Sequence, residues 1–373
     1  SGAGNSIILN LSNSTSINYK DETTLTLEAI TSVGYGKNKI YNVEDALGGS
    51  ANDTLIGNNS KNILDGGAGD DILFGFGGIG NILVGGTGND TILGLLGGDI
   101  IYGGSVTYTV ARDGIATSTV DGSDWVDYSY IADTRAVNID LNQNKAEQIG
   151  TTSNADSLIY IQNAKGTKNN DILKGDDDFN ITNSLLGYKG DDSFIVSKGS
   201  NYIDGGDGFN TIDYSSVDLG NGGNRVIVDL GLSKALDNGY HLDPSGANTV
   251  VEDDLINIQK VIGTGANDTI YGNSYANVLI GGQGNDTLDG REGNDTLYGI
   301  ANDNKLYGGD NNDTVYGGTG NDTLDGGAGD DILDGRARDI NGNLVNTTDG
   351  DNTYIGGTGD DIIIGGAGRD TLY

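Results

Sequence analysis

The chain has no cysteine, no methionine, one proline, one histidine and one tryptophan among its 373 residues. Without cysteine no disulfide framework can compensate for a thin core. One histidine and no cysteine leave the common nucleophile and base pairs unassembled, and neither HExxH nor G-x-S-x-G occurs. A carboxylate-only enzyme remains arithmetically open, but the regular placement of the carboxylates gives them another reading. Positive charge is scarce: 20 Lys and Arg face 54 Asp and Glu, for a net charge of -34. That balance excludes nucleic acid and anionic membrane as partners and points to cations. No apolar run reaches the length of a membrane span, and no signal-peptide core is visible, so membrane insertion is not expected. The opening SGAGNS, with no initiating methionine, suits an excised segment of a longer protein.

What is abundant is glycine, 65 residues against only 35% hydrophobic ones, which argues against an ordinary compact core. The glycines are ordered. From Gly263 they recur every nine residues at Gly272, Gly281, Gly290, Gly299, Gly308, Gly317, Gly326 and Gly335, in the form G-G-x-G-x-D-x-U-x with U a large aliphatic residue. The U positions in this stretch are Ile270, Leu279, Leu288, Leu297, Leu306, Val315, Leu324 and Leu333. One inward aliphatic residue flanked by Thr and Tyr suits a very short strand, and the glycines suit turns. Strand, turn, strand, turn makes a coil of eighteen residues. The expected fold is therefore all-β: a parallel β-roll, or β-solenoid, with two narrow sheets.

Such a stack has an electrostatic problem. Coils about 4.8 Å apart place like-charged carboxylates in files, where neighbours repel. A hard divalent cation between successive carboxylates reverses that repulsion, and glycine-rich turns offer backbone carbonyls as further oxygen ligands. Calcium accepts six to eight oxygens in irregular geometry, whereas magnesium demands an octahedron and keeps its water, so multiple calcium ions are expected.

The units GGAGDDILF (66–74), GGTGNDTIL (85–93), GGQGNDTLD (281–289) and GGAGDDILD (326–334) resemble the calcium-binding nonapeptide of the RTX, or repeats-in-toxin, hemolysin-type family. The resemblance implies that the first six residues of each unit form a metal-binding half-turn, with each ion between turns eighteen residues apart. Carried onto this chain, it gives one file of Asp268, Asp286, Asn304 and Asp322 and an opposite file of Asn277, Asp295, Asp313 and Asp331, resuming at Asn352, Asp361 and Asp370. In the first block the corresponding residues are Asp53, Asp71 and Asp90, opposite Asn62, Asn81 and Asp99; in the second they are Asp171 and Asp192, among Asn180, Asn201 and Asn210. The glycines implied as ligand-bearing are Gly66, Gly67, Gly69, Gly85, Gly86, Gly88, Gly281, Gly282, Gly284, Gly308, Gly309, Gly317, Gly318, Gly320, Gly326, Gly327, Gly329, Gly356, Gly357 and Gly359. Sites where Asn replaces Asp should be weaker or empty, and the ten-residue unit GFGGIGNILV (75–84) breaks register.

The chain then divides into an N-terminal strand-rich cap (1–43), a first block (44–104), a linker or cap (105–165), a degenerate second block (166–213), a second linker or cap (214–262) and a third block (263–373) with an insertion near 336–348. The linkers share motifs: DYS at 127–129 and 213–215, VNIDL and VIVDL at 137–141 and 226–230, IQNAKGT and IQKVIGT at 161–167 and 258–264. Their alternating Val and Ile suggest strands that cap the open ends of rolls.

The resemblance implies a calcium-folded, noncatalytic module of a secreted bacterial protein, such as an adhesin, surface-layer component or exoprotein, exported by type I machinery and located outside the cell or on its surface. Contacts with surface polysaccharide or neighbouring copies would fit that setting. Two alternatives stand beside it. Outward Tyr298, Tyr307 and Tyr316, or third-position Thr87, Thr319 and Thr358, could bind carbohydrate or ice, although the Thr residues are interrupted by Ala68, Gln283, Glu292 and Asp310. Asp243-Pro244 could undergo the calcium-triggered self-cleavage known in some relatives; a plain turn is the simpler reading. His241 reads as a loop residue, Trp125 as linker packing, and the Asn-x-Thr triplets as by-products of the repeat.

Overall fold

The computed structural model describes residues 8–10, 17–19, 23–25, 45–108, 115–118, 122–131, 134–150, 154–178, 181–216, 225–242, 248–338, 343–345 and 350–373. All regular structure among them is strand. The chain forms two units: Ser1–Asp176 with Asn183–Tyr188, and Asp177–Thr182 with Lys189–Tyr373.

In the second unit, strands alternate between two parallel sheets. One contains Thr269–Tyr271, Thr287–Glu292, Lys305–Asp310, Thr323–Ala328 and Thr353–Thr358. The other contains Lys260–Ile262, Val278–Gly282, Thr296–Ile300, Thr314–Tyr316, Ile332–Asp334 and Ile362–Ile364. Register follows the eighteen-residue coil, with Leu288 beside Leu306 beside Leu324, and Leu279 beside Leu297 beside Val315. Each of these U side chains is fully buried, so the core is one aliphatic side chain per strand, stacked in two facing rows. The first unit repeats the scheme: Thr54–Ile56, Ile72–Phe74 and Thr91–Leu93 form one sheet, and Ile63–Ala68, Ile82–Thr87 and Ile100–Gly104 the other. The ten-residue unit lengthens one coil to nineteen residues without losing register, its turn absorbing the extra residue with positive φ at Phe76 and Gly80.

The linkers are built into the sheets instead of lying across their ends. In the first, Ile100–Gly104 pairs parallel with Asp156–Ile159; two antiparallel pairings through Lys145–Gln148 lead to Val137–Asp140, which pairs parallel with Ile172–Lys174. In the second, Tyr202–Asp204, Asn248–Ile256, Lys234–Leu242, Val226–Asp229 and Thr269–Tyr271 follow the same succession of parallel and antiparallel pairings. A reversed hairpin thus continues the ladder, satisfying both of its edges.

Candidate metal centres

The half-turn 281–286 shows why three glycines precede each aspartate. Gly282 and Gly284 have φ of 108° and 114°, a region open to glycine at little cost. Gly281 has another role: a Cβ there would collide with Oδ2 of Asp286, so the missing side chain makes room for the carboxylate. Oδ1 of Asp286 accepts the N–H of Asp268 at 2.8 Å, and the N–H of Asp286 donates to Oδ1 of Asn304 at 2.9 Å.

Repeated along the coils, this bond creates the two expected files. Asp268, Asp286, Asn304, Asp322, Asn352 and Asp370 form one; Asn277, Asp295, Asp313, Asp331 and Asp361 form the other. In the first unit Asp53, Asp71 and Asp90 are linked, as are Asn62, Asn81 and Asp99. In the second block the N–H of Asp192 donates to Asn210 at 3.0 Å, while Asn180 lies outside the described residues.

The second carboxylate oxygen carries the chemistry. Oδ2 of Asp71, Asp286, Asp295, Asp313 and Asp331 is buried and accepts no hydrogen bond. Those of Asp71, Asp295, Asp313 and Asp331 each face a hollow that a carbonyl of the next coil also lines. At Gly308 a Cβ would lie 2.5 Å from Asp313 Oδ2 and 2.5 Å from the carbonyl oxygen of Gly326 on the next coil. Gly66 with Asp71 and Gly85, Gly290 with Asp295 and Gly308, and Gly326 with Asp331 and Gly356 repeat this arrangement. Burial, in the absence of a cation, pushes Asp71 to about 6 and Asp286, Asp295 and Asp313 to about 7, and raises Asp331. Among the described residues no three acidic or histidine side chains converge on one point. The donor set is instead one carboxylate per turn supplemented by backbone carbonyls, an all-oxygen set that suits calcium.

Residues 47–79, 76–109, 179–212, 262–297, 298–337 and 346–373 match the RTX calcium-binding nonapeptide repeat, a family defined on four copies. The chain belongs to this RTX repeat family. Its repeats are calcium-binding motifs. No curated protein matches the chain.

Not every sixth position in the RTX repeats offers a bare oxygen. Asn304 turns its amide to the carbonyls of Ala301 and Asn302, at 3.2 and 3.1 Å, so a donor within the chain occupies these backbone acceptors. Asn81 and Asn201 likewise donate to Gly78 and Gly199. Asp171 and Asp268 differ in another way. Both oxygens of each already accept bonds: Thr167 N–H and hydroxyl with Val137 N–H for Asp171, and Thr264 N–H and hydroxyl with Val226 N–H for Asp268.

Asp124 is a file member that regular spacing does not reveal. Its Oδ1 accepts the N–H of Asp90 at 2.9 Å, and a Cβ on Gly103 would meet its Oδ2 and the Tyr160 carbonyl. Gly103, Gly104, Gly122 and Asp124 therefore form one half-turn split by an insertion whose strands Val106–Tyr108 and Ile115–Ser118 pair antiparallel. The fifth-position Asn and Asp residues add a second ladder running the other way: Asn285 N–H donates to Asn267, Asp303 to Asn285 and Asn321 to Asp303, at 2.8, 3.1 and 2.8 Å.

The aromatic candidates divide between faces. Tyr298 and Tyr316 stack with centroids 4.9 Å apart, and Arg338 covers the Tyr316 ring at 4.4 Å, whereas Tyr307 lies on the other sheet. Asp243 and Pro244 lie outside the described residues.

Proposed function

We propose that this chain is a calcium-folded structural module of an exported bacterial protein, with Asp71, Asp90, Asp124, Asp286, Asp295, Asp313, Asp322, Asp331, Asp361 and Asp370 as carboxylate ligands and the half-turn glycines as carbonyl ligands. The supporting observation is the buried Oδ2 of Asp71, Asp295 and Asp313, each without a proton donor, facing carbonyl-lined turns. Calcium would replace repulsion along each file with bridging, so that folding free energy is metal-binding free energy. An acidic chain that folds only where calcium is plentiful suits export in an extended state and assembly outside the cell. On this reading the first and third blocks carry most of the ions, and the parent is an adhesin, surface-layer protein or exoprotein. The test is a calcium titration of the chain in chelator, followed by circular dichroism and small-angle scattering. Strand signal and compaction should appear together with calcium; a chain equally folded in chelator would overturn the proposal.

A further inference from the structure

Calcium does not explain the motifs that the two linkers share. The DYS tyrosines, Tyr128 and Tyr214, are buried, and each hydroxyl donates to Oδ2 of an aspartate in its linker: Asp156 at 2.7 Å and Asp253 at 3.2 Å. Those aspartates use Oδ1 as the calcium ligands do, accepting the N–H groups of Asp99 and Asn201. The hydroxyl therefore binds the oxygen that in Asp286 or Asp313 has no donor. The Tyr128 ring stands in the hollow over Gly94, where a Cβ would lie 2.5 Å from its Cζ; at Gly308 the same hollow is lined by a carboxylate and a carbonyl.

The other shared motifs complete the hydrogen bonding of the same coils. Gln162 and Gln259, from the two IQ sequences, supply neutral oxygens to the N–H groups of Asp124 and Asn210 at 2.8 and 2.7 Å. Thr167 and Thr264, from the two GT sequences, satisfy both carboxylate oxygens of Asp171 and Asp268. Another interruption, the insertion near 336–348, has its own tyrosine. Tyr354 is fully buried, its hydroxyl fills the hollow at Gly335, and it donates to the Gly365 carbonyl at 2.9 Å.

We infer that hydroxyl groups built into the chain take the place of an ion in both linkers and at the insertion near 336–348, so that the linker strands around Asp156 and Asp253 are metal-independent coils from which the calcium-dependent blocks extend. The physical equivalence is simple. The positive end of an O–H dipole occupies the position of a cation, and the acceptor it satisfies would otherwise be buried without a partner. The inference rests on the calcium reading of the blocks but adds what that reading lacks, an ordered chain segment before any ion binds. Consequently Asp156, Asp171, Asp253 and Asp268 are hydrogen-bonded supports and not ion ligands.

The test is hydrogen exchange of the full chain, read by mass spectrometry with calcium and in chelator. In chelator, segments 156–165 and 253–262 should exchange at least about tenfold more slowly than segment 287–325, and calcium should equalise them. Tyr128→Phe and Tyr214→Phe should each accelerate exchange of their own linker in chelator by about 10- to 100-fold, the effect of losing a bond to a carboxylate. With calcium, slow exchange of 287–325 in these variants shows that they still fold. Linkers as unprotected as the third block in chelator, or indifferent to loss of the hydroxyl, would overturn the inference. A third block protected in chelator would overturn the calcium reading instead.

Discussion

The amide of Asp295 donates to Oδ1 of Asp313 at 2.8 Å, while Oδ2 of Asp313 is buried without a donor. One carboxylate thus ties its coil to the previous one and presents an oxygen to the turn, and the amide of Asp313 is tied in the same way to Asp331. Asp313→Ala should remove a ligand from adjoining sites in one file. Calcium stoichiometry is expected to fall by about two ions at most, and the third block should need more calcium to fold. Asp289→Ala is the control, because Asp289 has the same charge but its Oδ1 accepts the local N–H of Arg291. Equal shifts in the two titrations would mean that the carboxylates act as diffuse charge and that the paired-turn assignment fails.

Ion choice offers a second check. The hollows combine a single carboxylate with rigid backbone carbonyls, which cannot rearrange into a compact octahedron. Magnesium at the same millimolar concentration should therefore induce little of the strand signal that calcium produces. Equivalent folding in magnesium would favour charge screening over coordination.

Proton binding gives a third. Asp286, Asp295 and Asp313 lie at about 7 in the metal-free fold, against 3.8 when solvated, with burial as the leading cause. A raised folded value means that the folded chain holds more protons than the unfolded chain between those limits. Calcium-free stability should therefore rise as pH falls from about 7 toward 4 and be lost as pH rises through about 7. Protons and calcium both bind the folded chain at the same oxygens, so less calcium should be needed for half-folding at pH 5.5 than at pH 7.5, with fewer ions bound at that midpoint. Dichroism-monitored titrations at the two values decide it; an unchanged midpoint would show that these carboxylates are not the ligands.

The parts of this architecture legible in the sequence are those set by strict period. Leu288, Leu306 and Leu324 could be placed inward, and Asp295, Asp313 and Asp331 in one file, because a nine-residue repeat leaves no other register. Asp124 escaped because its half-turn is split, putting it 34 residues beyond Asp90. The fifth-position ladder through Asn285 and Asp303 escaped because Asn and Asp suit any turn, whatever they bond. For the linkers, alternation in VNIDL and VIVDL announced strands but not their neighbours: a strand's own pattern identifies its buried face, while its partner depends on long-range pairing. Thr264 is the clearest local signal overlooked, since a hydroxyl where repeats normally have their second glycine can reach the aspartate four residues on.

The last test concerns that second-glycine position. Ile300 occupies it with φ of 77°, a left-handed conformation costly for a β-branched residue, and Gly318 stacks upon it one coil later with φ of 106°. Ile300→Gly removes the steric strain, worth about 1 to 3 kcal/mol, against a backbone entropy cost of about 0.5 to 1 kcal/mol. The net expectation is a gain of about 1 kcal/mol, read as a higher melting temperature in saturating calcium. Gly318→Ala should do the reverse, because its new methyl group would strike the Ile300 carbonyl oxygen while adopting the same unfavourable φ. A loss of about 2 kcal/mol or more is expected there. Opposite signs at two stacked positions would show that backbone conformation, rather than side-chain chemistry, selects glycine at this place in the turn. Destabilisation by both changes would instead show that the Ile300 side chain contributes packing that outweighs its strain.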